Sequence, residues 1–173
     1  MKNRILTVTL GLAFLLTGVV STFGQARKKA MRDMEDYRYE LECVGVGAQG
    51  TYLIKVWTYS KKPKVAIAQA KKNAIHGVIF KGFPGGGQGC TSQQPFATPA
   101  DEDKNIDFFE KFFADGGDYM RYVAESSDGS IGAEDRLKVG KEYKIGIVVS
   151  VQKDLLRKDL EKAGIIRALD SGF

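Results

Sequence analysis

Residues 60–90, SKKPKVAIAQAKKNAIHGVIFKGFPGGGQGC, hold the pattern from which the fold is read. Ser60 and Pro63 mark a helix start, because the first turn of a helix tolerates proline's missing N–H. At about 100° per residue, Ala66, Ile67, Ala70 and Ala74 gather on one arc, with Lys64, Gln69, Lys71, Lys72 and Asn73 elsewhere. Alanines on that arc allow the helix axis to lie close to a sheet. Gly77 then interrupts, and Val78-Ile79-Phe80 is an apolar run of a length that suits a buried strand. With Thr51–Tyr59 as a preceding strand and Gly77–Gly82 as the following one, the expectation is a βαβ unit with parallel strands and a right-handed crossover.

Outward from that unit, Tyr37, Tyr39, Leu41 and Cys43 alternate with Arg38, Glu40 and Glu42, the pattern of a half-buried strand. Gly45, Gly47 and Gly50 surround a turn into the Thr51–Tyr59 strand, so a hairpin is expected. On that second strand Trp57 shares a face with Leu53, Lys55 and Tyr59, while Tyr52, Ile54 and Val56 take the other. Residues 83–97, FPGGGQGCTSQQPFA, show neither period and read as a long loop. Thr98-Pro99-Ala100-Asp101 has the form of a capped helix start. The helix it opens carries Ile106, Phe109 and Phe113, widened by Phe108 and Phe112, and stops at Asp115-Gly116-Gly117. Tyr119–Glu125 and Glu142–Val151 read as strands, the latter with Tyr143, Ile145, Ile147, Val149 and Val151 on one face. A last helix spans about Lys153–Ala163, with Gly164 as its C-terminal cap. The order β-β-α-β-α-β-β-α implies an α+β fold: one domain over residues 37–173, a mixed β-sheet, and helices mainly on one face.

Residues 1–26 read as a signal peptide. Lys2 and Arg4 precede the apolar run Ile5–Val20, and Gly24 and Ala26 stand at the −3 and −1 positions of a cleavage site. The run is short for a membrane span, so no transmembrane anchor is expected after cleavage. The leader holds two basic residues and no acidic one, so the formal charge of +5 falls by two to +3. That balance is not a nucleic-acid footprint. Residues 27–36 form a basic arm in which Arg27, Lys28, Lys29 and Arg32 either contact an anionic surface or are simply solvated. The only cysteines, Cys43 and Cys90, have two readings in an oxidising compartment. One is a disulfide, which would stabilise the fold by ~4 kcal/mol on the chain-entropy model; the other is a pair of separate thiols.

Chemistry is sparse. The glycine loop matches neither phosphate-binding fingerprint, and one histidine with two distant cysteines offers no zinc spacing. No metal or cofactor is expected. His76 falls on the polar side of the helix wheel, as a surface or capping residue, or alternatively as the base for a Cys90 thiolate in a hydrolase. A ligand site is the further reading, with Phe83, Pro84, Gly85, Gly86, Gly87 and Gln88 from the loop and Trp57 and Tyr59 from the second strand.

The alanine-spaced helix at Ala66, Ala70 and Ala74, together with the closing VGKEYKIGIVVSVQKDLLRKDLEKAGI (139–165), resembles the small exported domains of flagellar-assembly and outer-membrane lipoproteins. Residues 70–85 are similar to an A-x-x-N-A-x-H-x-x-x-F-K-G-F-P-G segment of exported proteins from gut Bacteroidetes. The chain departs from the lipoproteins in lacking a cysteine after the leader. What the resemblance implies is a non-catalytic domain of the cell envelope, periplasmic, outer-membrane associated or secreted, that binds a protein partner or assembles with itself. It carries no catalytic residues to transfer.

Overall fold

A computed structural model describes residues 38–86, 89–126 and 131–168. The leader, the basic arm and loop residues Gly87 and Gln88 lie outside the described residues. Strand β1 (Tyr39–Val46) turns through residues 47–50 into β2 (Thr51–Ser60), which pairs with it antiparallel. Gln49 and Gly50 supply the positive φ angles of this turn, at 53° and 71°. Strand β2 also pairs along its whole length with β5 (Glu142–Gln152). The far edge of β5 is shared: β3 (Val123–Glu125) pairs with one end of it and β4 (Arg136–Val139) with the other. Every pairing in this five-stranded sheet is antiparallel. The molecule is a single α+β domain.

The parallel strand expected at 77–82 does not form. Helix α1 runs without a break from Pro63 to Phe80, so there is no βαβ unit. The cause is local packing. A side chain on Gly77 would run into Leu41 Cδ1, so this glycine is the point where α1 closes onto β1 and does not end the helix. Ala66, Ala70 and Ala74 are fully buried against the sheet, as the alanine spacing requires. A second layer covers the outer side of α1, and Gln69, Lys72, Asn73 and His76 are therefore buried too. A helix enclosed on all sides loses its amphipathic period.

That second layer holds α2 (Pro99–Lys104), α3 (Ile106–Phe112) and a 3-10 turn at Asp118–Tyr122. Thr98 and Asp101 form the expected capping box. The single helix expected here is broken at Asn105, whose Nδ2 donates to the Asp101 carbonyl at 2.8 Å. Phe109, Phe112 and Phe113 are core, whereas Ile106 is exposed. Half of the strand expected at Tyr119–Glu125 is the 3-10 turn, leaving β3 only three residues. Helix α4 (Lys153–Lys162) buries Leu156 and Leu160. Gly164, at φ 70°, closes it in left-handed geometry, with Ile165 N–H donating to the Leu160 carbonyl at 3.0 Å. No helix among the described residues is long and apolar enough to cross a membrane.

Candidate functional site

The loop at 83–97 is a closed structure stapled to the sheet. Phe83 and Gln93 exchange both backbone hydrogen bonds, at 3.0 and 2.9 Å, and the N–H groups of Phe96 and Ala97 both donate to the Ile79 carbonyl. Gly82 adopts φ 67° where a side chain would strike the Gln93 carbonyl. Cys90 is disulfide-bonded to Cys43 on β1, their Cα atoms 6.0 Å apart. Phe83 is buried with its ring 5.5 Å from Tyr52, so it belongs to the core and not to a binding surface. Pro84, Gly85 and Gly86 remain exposed at the loop tip.

Of the two readings of Cys43 and Cys90 the disulfide is the one that forms, which leaves no Cys90 thiolate for a hydrolase, and His76 has a different environment from the one its helix wheel implied. It is 2 % exposed. Its Nδ1 lies 2.6 Å from the Tyr39 hydroxyl and its Nε2 3.4 Å from Glu102 Oε1. The rings of Phe80 and Phe113 flank it at 4.9 and 5.7 Å. The tautomer in which Nδ1 accepts from the tyrosine hydroxyl carries its proton on Nε2, on the side of Glu102. Hydroxyl, imidazole and carboxylate in line is the order of a nucleophile, its base and an orienting acid. Tyr39 is itself only 3 % exposed, which leaves that hydroxyl no room to meet a substrate. Lys81 lies over the Tyr39 ring at 4.2 Å, and burial pulls its pKa below the ordinary lysine value, with Glu40 opposing the shift. Among the described residues no three His, Cys, Asp or Glu side chains are placed to hold a metal ion.

Trp57 and Tyr59 stand on the opposite side of the sheet from Phe83. The structure does not bring them to the glycine loop. Among the described residues all the helices pack on the side of Ile54 and Val56, and the other face carries Leu53, Lys55, Trp57 and Tyr59 in a row along β2. The register sets Trp57 between Glu40 on β1 and Gly146 on β5. A Cβ on Gly146 would come within 2.9 Å of Trp57 Cζ3 and 3.1 Å of Asp135 Oδ1, so the indole occupies the space a side chain there would fill.

Paired charges surround the indole. Lys144 Nζ donates to both carboxylate oxygens of Glu40, at 2.8 and 2.7 Å. Lys55 Nζ reaches Asp135 Oδ1 at 2.7 Å. Both ammonium groups sit near the Trp57 ring centre, at 5.4 Å for Lys55 and 5.3 Å for Lys144. The indole N–H donates to Glu42 Oε2 at 3.4 Å, and Arg38 lies 5.1 Å from the centre of the Tyr59 ring. The result is a half-buried aromatic centre with a rim of neutralised charges. Alternation along β2 gives Trp57, Tyr59 and Lys55 one face; Lys144, Glu40, Asp135 and Gly146 join them only through strand register, which the sequence does not state.

Comparison with family models, with curated proteins and with solved structures returns no match.

Proposed function

We propose that this protein is an exported module of the cell envelope, periplasmic or associated with the outer membrane, and that it binds a protein partner through the open face of its sheet without catalysing a reaction. The observation that carries the reading is Trp57: one large aromatic side chain at the middle of a face that carries no helix among the described residues, held in place by Gly146 beneath it and by lysine–carboxylate pairs around it. Such an arrangement has the anatomy of an interface hot spot, an anchoring aromatic inside a polar rim. Because Lys55 and Lys144 are already paired, little side-chain freedom is lost when a partner arrives. The disulfide fits an oxidising compartment. The loop at 83–97, stapled and with Phe83 turned inward, supports the fold more than it offers a contact surface. Self-association through the same face is the second form of this reading.

Site-specific photo-crosslinking in the cell envelope tests it. With p-benzoylphenylalanine at Tyr59, the expected result is a discrete adduct, absent when Trp57→Ala is added and absent from the same probe at Lys162 on the helical side. An adduct of twice the chain's mass identifies self-association. No adduct from the open face, or equal adducts from both positions, overturns the proposal.

A further inference from the structure

Leu137 and Val139 are each 48 % exposed on β4, a strand with no buried residue, and Gly140 turns the chain back into β5 at φ 60°. Arg136, Lys138 and Lys141 share that hairpin. Sheet register gives the hairpin its neighbours. Ser60, the last residue of β2, is opposite Tyr143, and Tyr143 is opposite Lys138. The corner Lys61-Lys62-Pro63-Lys64 that leads from β2 into α1 is therefore at the same end of the molecule, about 10 Å from β4 at ordinary strand spacing. That separation is about one Debye length, so the cations act together.

Most charges beside this end are neutralised. Lys144 is bound to Glu40, Lys55 to Asp135 and Arg38 to Glu142, while Arg136 rests 4.4 Å from the centre of the Tyr143 ring. Lys61, Lys64, Lys138 and Lys141 are exposed and form no ion pair among the described residues. The acids nearest in sequence are Glu142, which pairs with Arg38, Asp135, which pairs with Lys55, and Glu134, at the approach to β4. Helix α1 has no acidic residue in its first turn, where Lys64 is opposed by the helix dipole. These lysines are not placed for the stability of the fold.

We infer that this end of the molecule, the β4–β5 hairpin with the β2–α1 corner, docks on an anionic lipid surface. The hairpin docks edge-on: Leu137 and Val139, on one side of β4, enter the boundary between headgroups and acyl chains, while Lys138 on its other side, Lys141 at the turn and Lys61 and Lys64 at the corner meet the phosphates. Clustered cations alone would suit any acidic polymer. Two adjacent half-exposed aliphatic side chains at the rim gain from a lipid interface and gain nothing from a hydrated polyanion. Register sets Leu137 beside Lys144 and Val139 beside Glu142, so this edge adjoins the Trp57 face; a vesicle assay contains no protein partner, and its outcome is separate from the test of that partner.

The test is sedimentation of the full exported chain with vesicles of phosphatidylethanolamine and phosphatidylglycerol, against vesicles of phosphatidylcholine alone. Binding to the anionic vesicles is expected, with loss at raised salt. K138Q/K141Q and K61Q/K64Q should each weaken it about tenfold or more, and L137S/V139S severalfold, with melting points like the parent's. Equal binding to phosphatidylcholine overturns the inference. So does parent-like binding by both lysine variants when R27Q/K28Q/K29Q abolishes it, since the N-terminal arm would then be the contact. A third overturning result is parent-like vesicle binding by L137S/V139S together with equally tight, lysine-dependent binding to heparin, which would identify an acidic polymer.

Discussion

On its helical side the sheet meets α1 through alanine, glycine and branched aliphatic residues, and the contact is dry: Ala66, Ala70, Ala74, Ile54, Val56 and Val149 are fully buried. On its other side the same strands present Trp57, Tyr59 and Lys55 among ion pairs. Both faces use a glycine for close approach, Gly77 beneath Leu41 and Gly146 beneath Trp57. The difference lies in what can give way. Leu41 and Tyr39 are locked between strand and helix, whereas the indole has solvent beyond it. Stability is therefore concentrated on one face, and the other is available for recognition.

Phe109→Ala should cost about 3–5 kcal/mol by removing an aromatic ring from the layer that encloses α1, while Trp57→Ala should cost about 1 kcal/mol. Thermal or denaturant unfolding of the two variants measures the contrast, and comparable losses would break it. A finer version uses the glycines. Gly77→Val is expected to destabilise by about 1–3 kcal/mol through overpacking against Leu41. Gly146→Ala should lose less than that and shift the tryptophan emission as the indole is pushed outward.

Thr58 and Asn73 put polar atoms into the dry contact. Both side chains are fully buried, and neither the Thr58 hydroxyl nor the Asn73 amide finds a hydrogen-bond partner among the described residues. Replacing such a hydroxyl by a methyl of the same shape removes a desolvation cost, so Thr58→Val should raise stability by about 1 kcal/mol. A loss of stability on denaturant titration would contradict the dry reading of this face.

Alkaline unfolding distinguishes the faces by pH. Burial, together with a 2.9 Å hydrogen bond to Asp159, pushes the Tyr122 phenol up to about 12, and burial raises Tyr119 as well. A raised pKa means that the folded state favours the neutral phenol. The stabilisation is complete below the ordinary tyrosine value of about 10 and is lost as pH rises from there towards 12. Tyr122→Phe should flatten the fall in melting temperature across that window; an unchanged slope would assign the effect elsewhere. The smallest effect belongs to the open face. Glu40→Gln breaks an exposed pair with Lys144 and should cost about 0.2–1 kcal/mol, decreasing with added salt.

Much of the helical side could be read from residue order. The alternation of β5, the β1–β2 hairpin, the Thr98–Asp101 capping box and the Gly164 cap all follow local chemistry, and the structure has them. The misread segment was Val78-Ile79-Phe80. Periodicity distinguishes helix from strand only when one side is wet, and α1 is covered on both. For the same reason the helix wheel puts His76 on its polar side, since nothing local announces that α2 and α3 will close over it. Asn105 gave no signal of a break. On the open face, alternation placed Trp57 and Tyr59 together but could not pair Glu40 with Lys144, which lie 104 residues apart.

The bond between Cys43 and Cys90 closes a covalent ring across a sequence separation of 47, and that ring contains all of β2 and α1. A protease finds exposed chain at Pro84, Gly85 and Gly86, inside the ring. One cut there leaves both fragments joined through sulfur. The central helix and its neighbouring strand remain part of one molecule, and a single nick opens the ring without releasing either piece.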